Sequence, residues 1–212
     1  RDQPRSRGLG DVYKRQVLTV EEIDRIISAV DMDKKEGQRN RAILETLYSC
    51  GLRVSELCNL KLSDLYFEEG FIKVEGKGSK QRLVPISPRA IKEIKYWLTD
   101  RNLGKIKKGY EDYVFLARWG NNISRIMVFH MIKELAEKTG ITKNISPHTF
   151  RHSFATHLLE GGANLRAIQC MLGHESIATT EIYTHIDRNM LRSEIIEHHP
   201  RNIKYRKERG IY

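Results

Sequence analysis

FIKVEGKGSKQRLVPIS, residues 71–87, sets two short β-prone runs on either side of a KGSK turn at 77–80 and predicts a β-hairpin. The change of pattern begins near Phe67 and ends at Ser87. From Val17 onward the remaining apolar residues recur mostly at helical spacing. The expected fold class is therefore mainly α (α+β), a helical domain with a small antiparallel hairpin or three-stranded sheet.

Directly after the hairpin, Ser87-Pro88 is an N-cap followed by a proline at the first helical position, and Ile91, Ile94, Trp97 and Leu98 follow. Upstream, one helix is expected from about Arg39 to Cys50, stopped by Gly51, and another from about Val54 to Leu60. Farther upstream, Thr19 and Glu22 have capping-box spacing ahead of Ile23, Ile26, Ile27 and Val30. Beyond GKIKKGY and a short apolar piece, YVFLA (113–117), helices are expected from about Ser124 to Lys138 and from Ser146-Pro147 to Gly161-Gly162. Asn164 caps the next, which stops at Gly173, and Ser176 caps one containing Tyr183.

The chain has 212 residues with 37 Lys+Arg against 27 Asp+Glu, a net charge of +10. It is long enough for a sizeable core, and the charge suggests a polyanionic partner without naming it. No apolar run reaches the roughly 18 residues of a membrane span, and no secretory signal opens the sequence. Cys50, Cys58 and Cys170 form no CxxC pair and read as buried free thiols, which points to a reducing, cytoplasmic compartment. Residues 1–16 have almost no apolar content and read as a disordered basic tail or as non-native sequence. The expected organisation is a domain over 17–200 and a basic tail over 201–212.

Several residues carry chemistry. His148 and Arg151 lie three apart at a helix start, where free N–H groups favour an anion. His152 and His157 are expected elsewhere on that helix. Arg53 leaves from a rigid Gly-to-helix junction with Glu56 at i+3 to orient it. Lys77 sits between two glycines in the hairpin turn, with Lys80 and Arg82 beside it as DNA-binding candidates. His174 follows a helix end, and Tyr183 comes nine residues later. Singly, each has a plainer reading: a surface ion pair, a solvated basic turn, a packed tyrosine. Together they form a set for cleaving a phosphodiester without a metal. Arg53 and Arg151 can fork the non-bridging oxygens, His148 and His174 can exchange protons, Lys77 can protonate a departing alkoxide, and Tyr183 can attack phosphorus. No cofactor is called for.

The stretches LTVEEIDRII, GLRVSELCNLKLSDL, VEGKGSKQRLVPIS, SPHTFRHSFATHLLEGGANLRAIQCMLGHESIATTEIYTHI and the late HHPR resemble the catalytic domain of the tyrosine recombinases, the phage integrase family, most closely the Xer-type bacterial recombinases. The resemblance spans about residues 18–201 and implies Arg53, Lys77, His148, Arg151 and His174 as catalytic residues, with Tyr183 as nucleophile. It further implies attack on a scissile phosphate of double-stranded DNA, a 3′-phosphotyrosyl link, a free 5′-hydroxyl and strand exchange without ATP or metal. The outcome would be DNA integration or the resolution of chromosome or plasmid dimers. A tetramer on two DNA sites is implied, joined by a C-terminal helix for which residues 187–199 are the candidate, with Met190, Leu191 and Ile195 as apolar contacts. A sister recombinase is a further partner the resemblance admits. Full-length relatives carry an N-terminal core-binding domain, whereas this sequence has only the short basic stretch there. A fragment, a truncated gene and a single-domain variant all fit that difference.

Three other readings compete: a catalytically silent DNA-binding remnant, a type IB topoisomerase that reseals the same strand, and a metal-dependent nuclease suggested by His148 and His152. The intact set of six argues against the first, the Xer-like motifs against the second, and the lack of clustered carboxylates against the third. Bulk charge decides little. Residues 1–16 carry 5 − 2 = +3 and residues 201–212 carry 5 − 1 = +4, leaving only +3 for residues 17–200.

Overall fold

The computed structural model describes residues 17–173 and 188–210. The capping box at Thr19 forms as its spacing predicts: the Glu22 N–H donates to Thr19 Oγ1 at 3.1 Å, and Glu22 Oε1 accepts from the Thr19 N–H at 3.0 Å. It opens α1 (Val20–Ser28), whose Ile23, Ile26 and Ile27 face inward. The central helix, α2 (Gly37–Cys50), has every residue from Ala42 to Cys50 buried. From Ala42 onward the helix has no solvent face, so the polar groups of that stretch must find partners inside the protein. They do: Tyr48 Oη meets His157 Nδ1 at 2.6 Å, Ser49 Oγ donates to Ser87 Oγ at 2.9 Å, and Glu45 takes Arg89 at 3.2 Å and also Arg201.

Gly51 ends α2 with φ +64°, and a Cβ there would lie 2.4 Å from the Phe154 ring. Only glycine satisfies both the backbone and the packing. The chain turns at once into the short α3 (Val54–Cys58), then into a three-stranded antiparallel sheet of β1 (Leu65–Tyr66), β2 (Phe71–Glu75) and β3 (Gln81–Pro85) in that order. Ile72 pairs with Val84 and Val74 with Arg82, which places Ile72, Val74 and Val84 in the core. Gly78, at φ +72°, turns the hairpin, and the Gly76 N–H closes it on the Lys80 carbonyl at 2.8 Å.

Ser87 caps α4 (Pro88–Leu103), which packs along α2. The apolar piece YVFLA lies outside the sheet. Val114, Phe115 and Leu116 are buried, and the segment is held by the Val114 N–H on the Leu60 carbonyl at 2.9 Å and the Trp97 indole N–H on the Val114 carbonyl at 2.8 Å. Ser124 caps α5 (Arg125–Thr139), and α6 (Pro147–Glu160) follows and crosses α2. Asn164 caps α7 (Leu165–Leu172), and Gly173 ends it at φ +68°. The expected helix around Ser176 lies outside the described residues.

The C-terminal part differs from expectation. After α8 (Arg188–His198) the stretch read as a basic tail continues as α9 (Pro200–Glu208). Arg201 and Asn202 are buried there, with Arg201 paired to both Asp24 and Glu45. Leu191 and Ile195 of α8 enter this domain's own core, whereas Met190 is exposed. The three cysteines are buried free thiols, and burial pushes Cys50 up to about 12.

Candidate active site

Glu56 organises the site. Its side chain is 1% exposed, and it sits in the first turn of α3, where its Oε1 accepts the Arg53 N–H at 2.8 Å. Three guanidinium groups surround it: Arg82 donates to both carboxylate oxygens, Nη2 to Oε1 at 3.0 Å, Arg53 Nη1 lies 3.7 Å from Oε2, and Arg151 Nη1 lies 4.0 Å from Oε1. Burial alone would raise the Glu56 pKa, but the hydrogen bond and charge of Arg82, and then Arg53, hold it below the usual carboxylate range. Three cations against one carboxylate leave the cluster with an excess of positive charge suited to an anion.

Arg151 projects from α6 and is 7% exposed. Its Nη1 donates to the Gly51 carbonyl at 2.7 Å and its Nη2 to the Leu172 carbonyl at 2.6 Å. Those two carbonyls lie at the ends of α2 and α7, so one side chain ties three helices while its charge stays at the cluster. Burial, reinforced by Arg53, lowers its pKa to about 10. Arg53, at the N-cap of α3, is more open, its side chain 39% exposed. It shares a cleft of about 770 Å³ with Lys77 of the hairpin turn. Lys77, Lys80 and His148 are exposed.

Arg82 differs from the groove-facing residue its hairpin position suggested. Its side chain is 8% exposed, turned inward onto Glu56, and its Nε donates to the Met171 carbonyl at 2.9 Å. It therefore joins the strand that leads from Lys77, the helix that presents Arg53, and the end of α7. His152 also differs: it meets His148 edge to face with ring centroids 4.5 Å apart, as an i,i+4 pair on one helix face does. His157 is buried on Tyr48, away from that face. His174 and Tyr183 lie outside the described residues. The last described residue before them, Gly173, directly follows the two α7 carbonyls that Arg82 and Arg151 hold.

Residues 16–190 match the phage integrase family, and the chain belongs to that family. Among curated relatives, a tyrosine recombinase XerD of Chlorobaculum tepidum is 46% identical over 192 residues, covering 89% of this chain and 63% of the relative. A XerD of Staphylococcus saprophyticus is 44% identical over 185 residues, covering 87% and 63%. The chain thus spans a little under two thirds of the length of these relatives. Among solved structures, the XerA recombinase superposes with a TM-score of 0.68 at 36% identity, covering 87% of this chain and 65% of that one. XerH bound to its difH substrate in a pre-cleavage complex gives 0.67 at 30%, covering 81% and 50%.

Proposed function

We propose that this chain is the catalytic part of a site-specific DNA recombinase. One observation carries the reading: Arg53 and Arg151, drawn from helices 98 positions apart in sequence, converge on one buried carboxylate beside the cleft that Lys77 lines. A carboxylate that fixes guanidinium groups without consuming all their charge prepares them for a phosphate. XerH, a structural neighbour, was captured with its difH DNA before and after cleavage.

In this reading the two arginines bind the non-bridging oxygens of a scissile phosphate in double-stranded DNA. The Tyr183 oxygen attacks phosphorus and passes its proton to His148 or His174, the P–O5′ bond breaks, and Lys77 delivers a proton to the leaving 5′-oxygen. His148 and His174 hydrogen-bond the phosphoryl group and exchange protons with it. The 3′-phosphotyrosyl bond conserves the energy of the phosphodiester, so a 5′-hydroxyl from a partner duplex can reverse the step. Lys80, exposed on the hairpin turn, contacts the DNA backbone in this reading. We place the reaction in the cytoplasm, in DNA integration or dimer resolution; no described helix is long and apolar enough to cross a membrane.

Assembly as a tetramer on two sites belongs to the same reading. With Leu191 and Ile195 buried in their own domain, α8 as found here offers a neighbour Met190 and its outward face. Incubating the protein with a nicked duplex carrying a relative's core site, in EDTA, tests the reading: a covalent adduct is expected, and its loss in Tyr183→Phe identifies the nucleophile.

A further inference from the structure

At the far end of α2 from Arg53, roughly 20 Å away for a helix of 14 residues, lies a second cavity of about 330 Å³. Six cationic side chains line it: Lys34, Lys35, Arg39, Arg101, Lys105 and Arg118. Only two carboxylates, Glu36 and Asp100, oppose them, so the lining carries 6 − 2 = +4. Residues 17–210, which include α9, carry 3 + 4 = +7, so this one cavity lining holds more than half of that net positive charge.

Two of the six are interior residues. Arg39 is 7% exposed and Arg101 is 4% exposed, and among the described residues neither has a carboxylate within ion-pairing distance. Their partners are neutral. Arg39 donates to the Leu116 carbonyl at 3.2 Å and, from Nε and Nη2, to Asn40 Oδ1 at 3.2 and 3.0 Å. Arg101 donates to the Tyr113 carbonyl at 3.0 Å, the Glu111 carbonyl at 2.6 Å and Asn102 Oδ1 at 3.1 Å. Each guanidinium has five N–H donors, and three hydrogen bonds leave two apiece for another acceptor. A buried charge is costly unless an opposite charge meets it. Burial accordingly depresses the pKa of both arginines, with Glu36 and Asp112 offsetting it only from a distance. By contrast the buried arginines of the catalytic cluster and Arg201 all have a carboxylate within 4.0 Å.

We propose that this cavity is a binding site, separate from the catalytic cleft, for a phosphate-bearing anion. A terminal phosphate brings about two charges and three acceptor oxygens and a backbone phosphodiester one charge and two, and either suits two under-neutralised guanidinium groups ringed by Lys34, Lys35 and Lys105. The phosphate is either on a free compound or on the backbone of bound DNA, and in both cationic N–H donors meet non-bridging phosphate oxygens.

Calorimetric titration of the full chain with pyrophosphate tests the site, in an Arg53→Ala background that weakens anion binding at the catalytic cleft. Saturable binding is expected to persist there and to weaken at least about tenfold in Lys35→Glu/Arg118→Glu, a pair chosen because both residues are exposed and leave the core intact. No saturable binding, or binding that the charge reversals leave unchanged, overturns the proposal. A short DNA duplex separates the two sources: displacement of pyrophosphate assigns the cavity to a backbone phosphate, and simultaneous binding assigns it to a free phosphate compound.

Discussion

Arg82 closes on Glu56 from the neighbouring hairpin, Nη2 to Oε1 at 3.0 Å, and its Nε holds the last turn of α7 through the Met171 carbonyl at 2.9 Å. A basic residue with the sequence profile of a DNA contact is thus an internal brace between the elements that carry Arg53, Lys77 and the approach to His174. Arg82→Ala is expected to leave the buried carboxylate with only the more distant Arg53 and Arg151 guanidinium groups, at 3.7 and 4.0 Å, with a loss of up to about 3–5 kcal/mol in urea unfolding. Arg82→Lys retains a cation but not the fork and is expected to fall between the two. A loss within the error of the wild-type value in Arg82→Ala would show that the pair is not a brace.

Arg151 serves stability and charge at once. Truncation to alanine removes two hydrogen bonds from a charged donor to the Gly51 and Leu172 carbonyls, each worth about 1.5–3 kcal/mol. Arg151→Ala is therefore expected to lower the unfolding midpoint as well as abolish cleavage, while non-specific DNA binding in filter retention stays near wild type. Parallel collapse of binding in a still-folded variant would make Arg151 a residue that positions DNA instead.

Gly51→Ala combines a left-handed backbone, about 1–2 kcal/mol for an L-residue, with a contact of 2.4 Å against Phe154 that forces repacking at about 1–3 kcal/mol. Thermal unfolding is expected to show a drop of several degrees or more. Because Gly51 also offers its carbonyl to Arg151, cleavage is expected to fall further than stability alone accounts for.

How much of this was legible in the sequence follows from the range of each interaction. The starts at Thr19, Ser87, Ser124 and Asn164 were legible because a cap is chemistry within three residues. The hairpin was legible for the same reason. The inward turn of Arg82 was not, since its partner is 26 residues away and nothing local distinguishes a paired arginine from a solvated one. Nor was α9: it lacks an apolar stripe and is held by Arg201 on Glu45 and Asp24, 156 and 177 residues earlier. The i,i+4 spacing of His148 and His152 did carry the signal for their contact. His174 and Tyr183 rest on motif alone, lying outside the described residues.

His199 gives stability a pH dependence. It is fully buried, its Nε2 meets the Tyr48 carbonyl at 2.8 Å, and burial pulls its pKa from 6.5 down to about 4. The unfolded chain takes up a proton near the ordinary value while the folded chain does not. Stability is therefore complete above about pH 6.5 and lost as pH falls toward 4, by about 3 kcal/mol. His157, lowered mainly by burial, acts in the same direction. Urea midpoints measured from pH 8 to pH 4 are expected to fall in the wild type and to fall less in His199→Asn. Equal slopes would remove His199 as a source.

In the proposed function the arginine cluster on Glu56 serves covalent chemistry at Tyr183. Trapping on a nicked duplex in EDTA, resolved on a denaturing gel, reads that chemistry out as a covalent adduct. A protein–DNA adduct is expected in the wild type, none in Tyr183→Phe, and none in Arg53→Ala or Arg151→Ala. An adduct that survives Tyr183→Phe, or none with any relative's core site from a folded protein that binds the duplex, would contradict it.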